Sequence, residues 1–385
     1  MKFSKRMLIV LLALVMVLSL AACGDKEKPA EESVPESSAE APKESEEAPE
    51  ESEEQAATGG KEFNIGVAIY QYNDNFMTLY REELAKYFEE LAAQNGNTYN
   101  VDFQDGKNDQ ATQTEQLNNF ITQGKDLIIA NLVDPTGADQ VIEAAKEANI
   151  PIVFINREPS QETMGIWEGK TTYVGVDARQ SGVYQGEIIA ELENKGDING
   201  DGKVSYLMIM GDAGNVDAEQ RTQYSVETLE KTIPVEKLDE QRGNWDEAKG
   251  QEIAANALNQ HGKDLEVIFS NNDGMAKGAM QAVNGADRKI NEDIYVVGVD
   301  ALPEVVELLG EGKFTGTVLN DHKNQAITAG EISQRLLNGE DVAPYYWHDY
   351  VKVLKPEDAE YKRVDFKEET MEDYQKRLEE TYGIK

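Results

Sequence analysis

What this chain lacks narrows its chemistry before any motif is read. It has a single cysteine, Cys23, in 385 residues. An internal disulfide, a catalytic cysteine and a zinc–cysteine cluster are therefore excluded. The three histidines, His261, His322 and His348, show no metal-ligand spacing and read as surface or loop residues. Basic residues are scarce, 37 against 73 acidic ones, for a formal net charge of −36 spread along the whole length. Binding to a phosphate backbone needs a basic patch, so nucleic acid is excluded as a partner. The apolar run at the start, Met7 to Leu18, is too short to span a membrane comfortably.

What is present begins with a processing segment. Lys2, Lys5 and Arg6 precede that apolar run, and Leu20-Ala-Ala-Cys23 closes it. The ending resembles a bacterial lipobox, which implies cleavage before Cys23 and lipidation there, so residues 1–23 are expected to be a lipoprotein signal peptide. Residues 24–60 hold 13 acidic and three basic residues with much Ser, Pro and Ala. Such a composition cannot offset the entropy of ordering, and it predicts a disordered acidic tether.

From Phe63 onward, apolar strands alternate with amphipathic helices. Strands are expected at 63–70, 99–103, 127–133, 150–155 and 171–176, with helices at 77–94, 110–123 and 137–149. A second set follows, with strands at 205–210, 235–241, 265–270, 294–299, 315–319 and 350–354. Its helices are expected at 180–195, 217–231, 245–260, 274–284 and 325–337, and 373–382 reads as a terminal surface helix. The repetition predicts an α/β chain of two doubly wound parallel-sheet domains with a cleft. Ligands of such sheets sit beyond the carboxyl ends of the strands.

One loop between the two sets carries a metal-like pattern. Asp197-Ile-Asn-Gly-Asp-Gly-Lys-Val-Ser205 matches the first nine positions of a helix-loop-helix calcium loop. Asp197, Asn199 and Asp201 would give side-chain oxygens, Lys203 its carbonyl, and Ser205 a side chain or bridging water. The twelfth position should be a bidentate Glu but is Met208, inside an apolar strand. Either this is a turn without metal, or a carboxylate arrives from elsewhere.

The strand tips are rich in Asp, Asn, Arg and aromatics, and offer no Ser-His or Cys-His arrangement. Planar amide, carboxylate and guanidinium groups can each serve two adjacent ring hydroxyls, and aromatic faces cover the C–H faces of a pyranose. That inventory suits a neutral sugar.

At these residues the chain resembles the periplasmic galactose/glucose-binding proteins of bacterial ABC transport. The resemblance covers about Ile65 to Leu354. It rests on Tyr72-Asn-Asp-Asn-Phe-Met77, Asn131-Leu-Val-Asp-Pro135, Gly298-Val-Asp-Ala-Leu-Pro-Glu304 and Gly316-Thr-Val-Leu-Asn-Asp321. It implies a type I periplasmic binding protein fold, two lobes joined by a three-crossing hinge. The lobes would be 61–174 plus 321–350, and 175–320 plus 351–366, with 367–385 a C-terminal surface helix. The crossings would lie near 174–177, 319–322 and 350–352.

The resemblance also implies a site. Asp74 would bond the sugar O4, Phe76 and Trp245 would stack on opposite faces, and Asn156 would reach the ring from the first lobe. Asp217, Arg221, Asn272, Asp300 and Asn320 would add polar contacts. Asp217 and Arg221, four apart, share a helix face. Asn215 stands where the family usually has His, which bears on affinity and epimer preference. The family's calcium loop borrows a distant glutamate, here Glu266, which implies a structural calcium held by Asp197, Asn199, Asp201, Lys203, Ser205 and Glu266. Ser205 replaces a Gln side chain there.

The expected function is capture of D-galactose or D-glucose by cleft closure and delivery to the transmembrane subunits of an ABC permease, with chemoreception a further role. The protein is expected to be a monomer, extracytoplasmic and held at the membrane by lipid on Cys23. Competing readings are a receptor for another sugar such as ribose or xylose, and a sugar sensor without transport. A transcription regulator would need a basic helix-turn-helix where the acidic tether stands. A glycoside-processing enzyme would need paired carboxylates in the cleft, which Asp74, Asp217 and Asp300 could supply.

Overall fold

The structure, a computed structural model, describes residues 59–384. The signal segment, and all of the tether except Gly59 and Gly60, lie outside them.

A first sheet is laid down by β1 (Glu62–Ile69), β2 (Thr98–Asp105), β3 (Leu127–Ala130), β4 (Ile152–Ile155) and β5 (Thr171–Val176). Between them run α1 (Asn75–Asn95), α2 (Gln110–Thr122), α3 (Ala138–Ala148) and the short α4 (Gln161–Met164). The strands β3 and β4 are buried along their whole length, as parallel strands covered on both faces must be. The second part adds α5 (Ala178–Ala190), β6 (Val204–Met210), α6 (Val216–Glu230), β7 (Val235–Arg242), α7 (Glu247–His261), β8 (Val267–Ser270), α8 (Asp273–Gly285), β9 (Tyr295–Val297), α9 (Pro303–Gly310) and β10 (Thr317–Leu319). Then come α10 (His322–Leu337), β11 (Tyr345–His348), β12 (Val351–Val353), β13 (Lys367–Glu369) and α11 (Met371–Tyr382).

The first sheet runs β13-β11-β5-β4-β3-β1-β2, and the second β7-β6-β8-β9 with the pair β10-β12 beside it. A bridge from Val297 to Gly316 joins the pair to β9. Each sheet is sandwiched between two apolar layers. Over the first, Tyr80, Leu84 and Phe88 of α1 meet Ala326, Ala329 and Ile332 of α10, and Leu117, Phe120 and Ile142 cover the opposite face. Over the second, α7, α8 and α9 fill one side, and Ile188, Ile189 and Leu229 the other. The chain passes between sheets after β5, after β10 and after β11.

Four expectations need correction. The aromatic run Tyr345-Tyr-Trp-His348 is a buried strand parallel to β5, set directly after Pro344 and too short to show a period. The first sheet ends in an antiparallel strand, β13 on β11, and an antiparallel pair, β10 with β12, stands beside the second, whose own four strands are all parallel. Residues 367–385 are more than a surface helix, because Lys367–Glu369 joins the first sheet and α11 buries Tyr374 and Leu378. His348 is buried at 4% exposure, its Nε2 2.9 Å from Thr328 Oγ1. Burial lowers its pKa to about 4.

Two carboxyl groups sit where burial works against ionisation. Asp273 is fully buried, accepting from Thr317 Oγ1 at 2.7 Å and from the Leu302 amide at 2.9 Å. Burial pushes it up to about 7, against those hydrogen bonds. Glu158, which accepts from the Tyr374 hydroxyl at 2.7 Å, is likewise raised to about 7 by burial. The folded chain therefore keeps both protons to about pH 7, whereas the unfolded chain releases them near about pH 4. Between those values the two unfolded carboxyl groups hold fewer protons, so they make stability fall as pH rises, and buried His348, which the unfolded chain protonates below about pH 6.5, offsets only part of that. Urea unfolding is expected to show a higher midpoint at pH 5 than at pH 7.5, and Asp273→Asn should flatten that slope.

Candidate functional site

The site grows out of helix starts. At the carboxyl end of β1, Asp74 caps α1, its Oδ1 accepting from the Met77 amide at 2.7 Å. Its second oxygen accepts from the Tyr70 hydroxyl at 2.7 Å. Asn215 caps α6 and Asn272 caps α8 in the same way. Cap and cavity residue thus coincide: Asn215 keeps its amide nitrogen for the cleft, while Asn272 Nδ2 also donates to the Trp245 carbonyl at 3.4 Å.

All ten residues named as sugar contacts line a single cavity with about 340 Å³ of atom-free space. Asp74, Phe76 and Asn156 come from the first sheet's tips, and Asn215, Asp217, Arg221, Trp245, Asn272 and Asp300 from the second's. Asn320 sits at a crossing. Tyr70 and Arg157 complete the wall and were missed. Tyr70 ends the strand expected at 63–70 and Arg157 follows the one at 150–155, but an aromatic and an Arg at a strand end give no signal separating them from packing residues. The Arg157 guanidinium lies over the Tyr70 ring at 3.7 Å and pairs with Asp212, across the cleft, at 3.1 Å. Asn131, behind the wall, is fully buried and donates to Asn156 Oδ1 at 3.0 Å, which orients that side chain.

Arg221 is the cation at the centre. It donates to the Asn271 carbonyl at 2.8 Å and to the Tyr350 hydroxyl at 3.0 Å, with Asp217 3.8 Å away. Burial opposes its charge, and Tyr350, Asp217 and Asp300 more than offset that and hold its pKa up. Asp300 is raised well above the ordinary carboxyl range by burial, with Arg221 working the other way. It accepts from Asn320 Nδ2 at 3.2 Å. Buried polar atoms without a protein partner include Arg221 Nε and Trp245 Nε1. Orphan donors of this kind beside acceptors lacking full complements are what a ligand rich in hydroxyls satisfies.

Trp245 sits at φ +64°, after Asn244 at φ +51°, and packs against the cores of both sheets. Its indole edge lies on Gly211, where an added Cβ would fall inside the van der Waals envelope of Cζ2. Gly211→Ala is therefore expected to tilt the ring and weaken ligand binding at least tenfold while the fold persists, measured by calorimetry and circular dichroism.

The nine-residue loop is wound around its own amides. Asp197 accepts from the amides of Gly200, Asp201 and Gly202, and Asn199 Oδ1 accepts from that of Asp201. Glu266, fully buried, reaches this loop from just before β8. It accepts from the amides of Ile198 and Asn199 through Oε1, at 2.7 and 3.0 Å, and from Ser205 through Oε2 at 2.9 Å. Lys203 pairs with Glu236. Among the described residues no three acidic, histidine or cysteine side chains stand in metal-holding reach. A carboxylate offers about four lone-pair sites, so Asp197 and Glu266 each keep one beyond their three amide bonds. The donors are all oxygen, the set a hard cation prefers.

Two parallel-type sheets facing each other across a cavity lined by amide, carboxylate, guanidinium and aromatic groups define a two-lobed solute-binding protein. Residues 65–341 match the model of the periplasmic binding protein domain. The chain is 38% identical over 289 residues to the D-galactose/methyl-galactoside binding periplasmic protein of Haemophilus influenzae, covering 74% of this chain and 84% of that one. It is 28% identical over 283 residues to the ribose import binding protein of Bacillus subtilis, 73% of this chain and 84% of that one. An ABC transporter solute binding protein from Bacillus halodurans, solved with bound myo-inositol, superposes with a TM-score of 0.67 at 28% identity. That match covers 83% of this chain and 99% of that one. The chain belongs to the periplasmic binding protein domain family. Its relatives are solute-binding proteins of sugar transport, and no described helix is long and apolar enough to cross a membrane.

Proposed function

We propose that the protein captures D-galactose or D-glucose between its lobes and delivers it to an ABC permease. The observation that carries this reading is the convergence of the ten side chains, drawn from both sheets, around orphan donors on Arg221 and Trp245. The 38% relative named for D-galactose supports the choice of hexose. Phe76 and Trp245 cover the ring faces, Asp74, Asp217 and Asp300 accept from hydroxyls, and Arg221, Asn156, Asn272 and Asn320 donate. Closure follows because the hydroxyls satisfy groups on both lobes at once, and the Arg157–Asp212 pair adds a latch across the cleft. Lipid on Cys23 would hold the protein outside the cytoplasmic membrane.

A second sugar class is favoured by one position. Asn215 uses Oδ1 on the Ala218 amide at 3.0 Å, which leaves its short amide NH₂ for the ligand. A longer, titratable His would present a different donor, so the preferred sugar can shift towards another neutral polyol. Calorimetric titration with D-galactose, D-glucose, D-ribose, D-xylose and myo-inositol decides between them. Binding to neither hexose would overturn the primary reading.

The loop 197–205 with Glu266 is proposed to take a structural calcium. Asp197, Asn199, Asp201, the Lys203 carbonyl, Ser205 and Glu266 would hold it, and the ion would supply charge that binds the loop to the second lobe. Terbium luminescence with calcium competition tests this, and no competition at millimolar calcium would remove the ion from the account.

A further inference from the structure

The rim of the cleft holds a second cavity that the reading above does not use. It encloses about 750 Å³ of atom-free space and is lined by both lobes. Gln71, Asn73, Asn75 and Asn108 come from the first, and Asn244, Trp245 and the first turn of α7 with Asp246, Glu247 and Lys249 from the second. Asp246 caps that helix and Glu247 pairs with Lys277 at 2.9 Å. Trp245 walls the inner cavity too, so the two spaces share one indole. Five carboxamides around one opening form an unusual surface. The two carboxylates beside them are engaged, Asp246 by the Lys249 amide and Glu247 by Lys277. Each amide donates and accepts without charge, which matches neighbouring hydroxyls on a polyol. Only Gln71 among them spends its side-chain amide inside the described protein, donating to the Tyr70 hydroxyl at 3.1 Å.

The backbone holds these amides at cost. Asn108 follows Lys107, both at φ +53°, and Asn244 at φ +51° precedes Trp245 at φ +64°. Paired left-handed residues therefore stand on opposite rims, a conformation that non-glycine residues adopt where the surroundings enforce it. The formal net charge of −36 further disfavours an anionic occupant.

We propose that this vestibule is a subsite for the second unit of a glycoside. One hexose would occupy the inner cavity and a linked neutral polyol, such as a second hexose, the amide-lined outer one. The inference rests on the sugar reading of the inner cavity and extends it from monosaccharides to disaccharides.

The test uses the whole mature protein and calorimetry with D-galactose, D-glucose, lactose, melibiose and cellobiose. At least one disaccharide is expected to bind with a Kd within tenfold of its parent hexose. Asn73→Ala combined with Asn108→Gly removes two amides, and glycine is at ease at φ +53°. This variant should weaken the disaccharide at least tenfold and leave the monosaccharide within twofold. Asn73→Trp, which fills the vestibule, should block the disaccharide alone. Monosaccharide binding with no disaccharide bound would overturn the subsite, as would a disaccharide indifferent to both variants. Silence towards every sugar would instead bring down the inner-cavity reading, and the subsite with it.

Discussion

Trp245→Ala is expected to weaken D-galactose and D-glucose binding by at least a hundredfold. Among the described residues the indole alone packs against the cores of both sheets while walling the cavity. A buried aromatic of this size contributes about 150–250 Å² of contact, and truncating one at the centre of an interface typically costs about 2–4 kcal/mol. Here the loss is doubled in kind, because the ring face against the ligand and the contact that favours the closed form vanish together. Calorimetry gives the affinity, and circular dichroism with thermal unfolding establishes that the variant is folded. Trp245→Phe, retaining an aromatic face but not the Nε1 donor, should recover part of the loss. A Kd for alanine within threefold of the parent would remove Trp245 from the site.

Glu266→Ala carries the largest expected effect on stability. Its carboxylate is fully buried and accepts three amides from one loop. Removing it leaves those donors without partners, at about 1–3 kcal/mol for each one that water cannot reach. Since the loop can shift towards solvent, a total of about 3 kcal/mol is the expected loss, read as a lowered urea midpoint. Glu266→Gln preserves one acceptor oxygen and should lose less. The parent's thermal midpoint should rise with added calcium and that of Glu266→Ala should not. An alanine variant as stable as the parent would mean that the loop holds itself.

Much of this architecture was readable because burial imposes a pattern. Runs such as Leu127–Ala130 and Ile152–Ile155 are apolar at every position, since helices cover both faces. The strand β11 escaped, for four aromatic and His residues after a proline carry no period, and their burial is decided by β5 and β13 on either side. Helix α9 escaped for a similar reason: eight residues opened by Pro303 give barely two turns. In the site, the ten named residues do line one cavity, and Asp74, expected there as a sugar contact, is also the N-cap of α1. Arg157 and Tyr70 were invisible because their roles depend on a stacked pair and an ion partner 55 residues away from Arg157.

The tail of the chain has a practical consequence. Helix α11 is docked on the first sheet by Tyr374 and Leu378, yet Arg377 grips Asp177, at the first crossing, at 2.6 Å. Tyr382 rests against Tyr224 of α6, ring centres 5.3 Å apart. Helix α11 thus lies across the joint about which the lobes would rotate in the proposed closure. A dye placed at Gly383 would ride on that joint, and its signal would report opening and closing without touching the cleft. By the same token, a bulky fusion at this end would load the joint, so affinity measured on such a fusion would be that of a biased hinge.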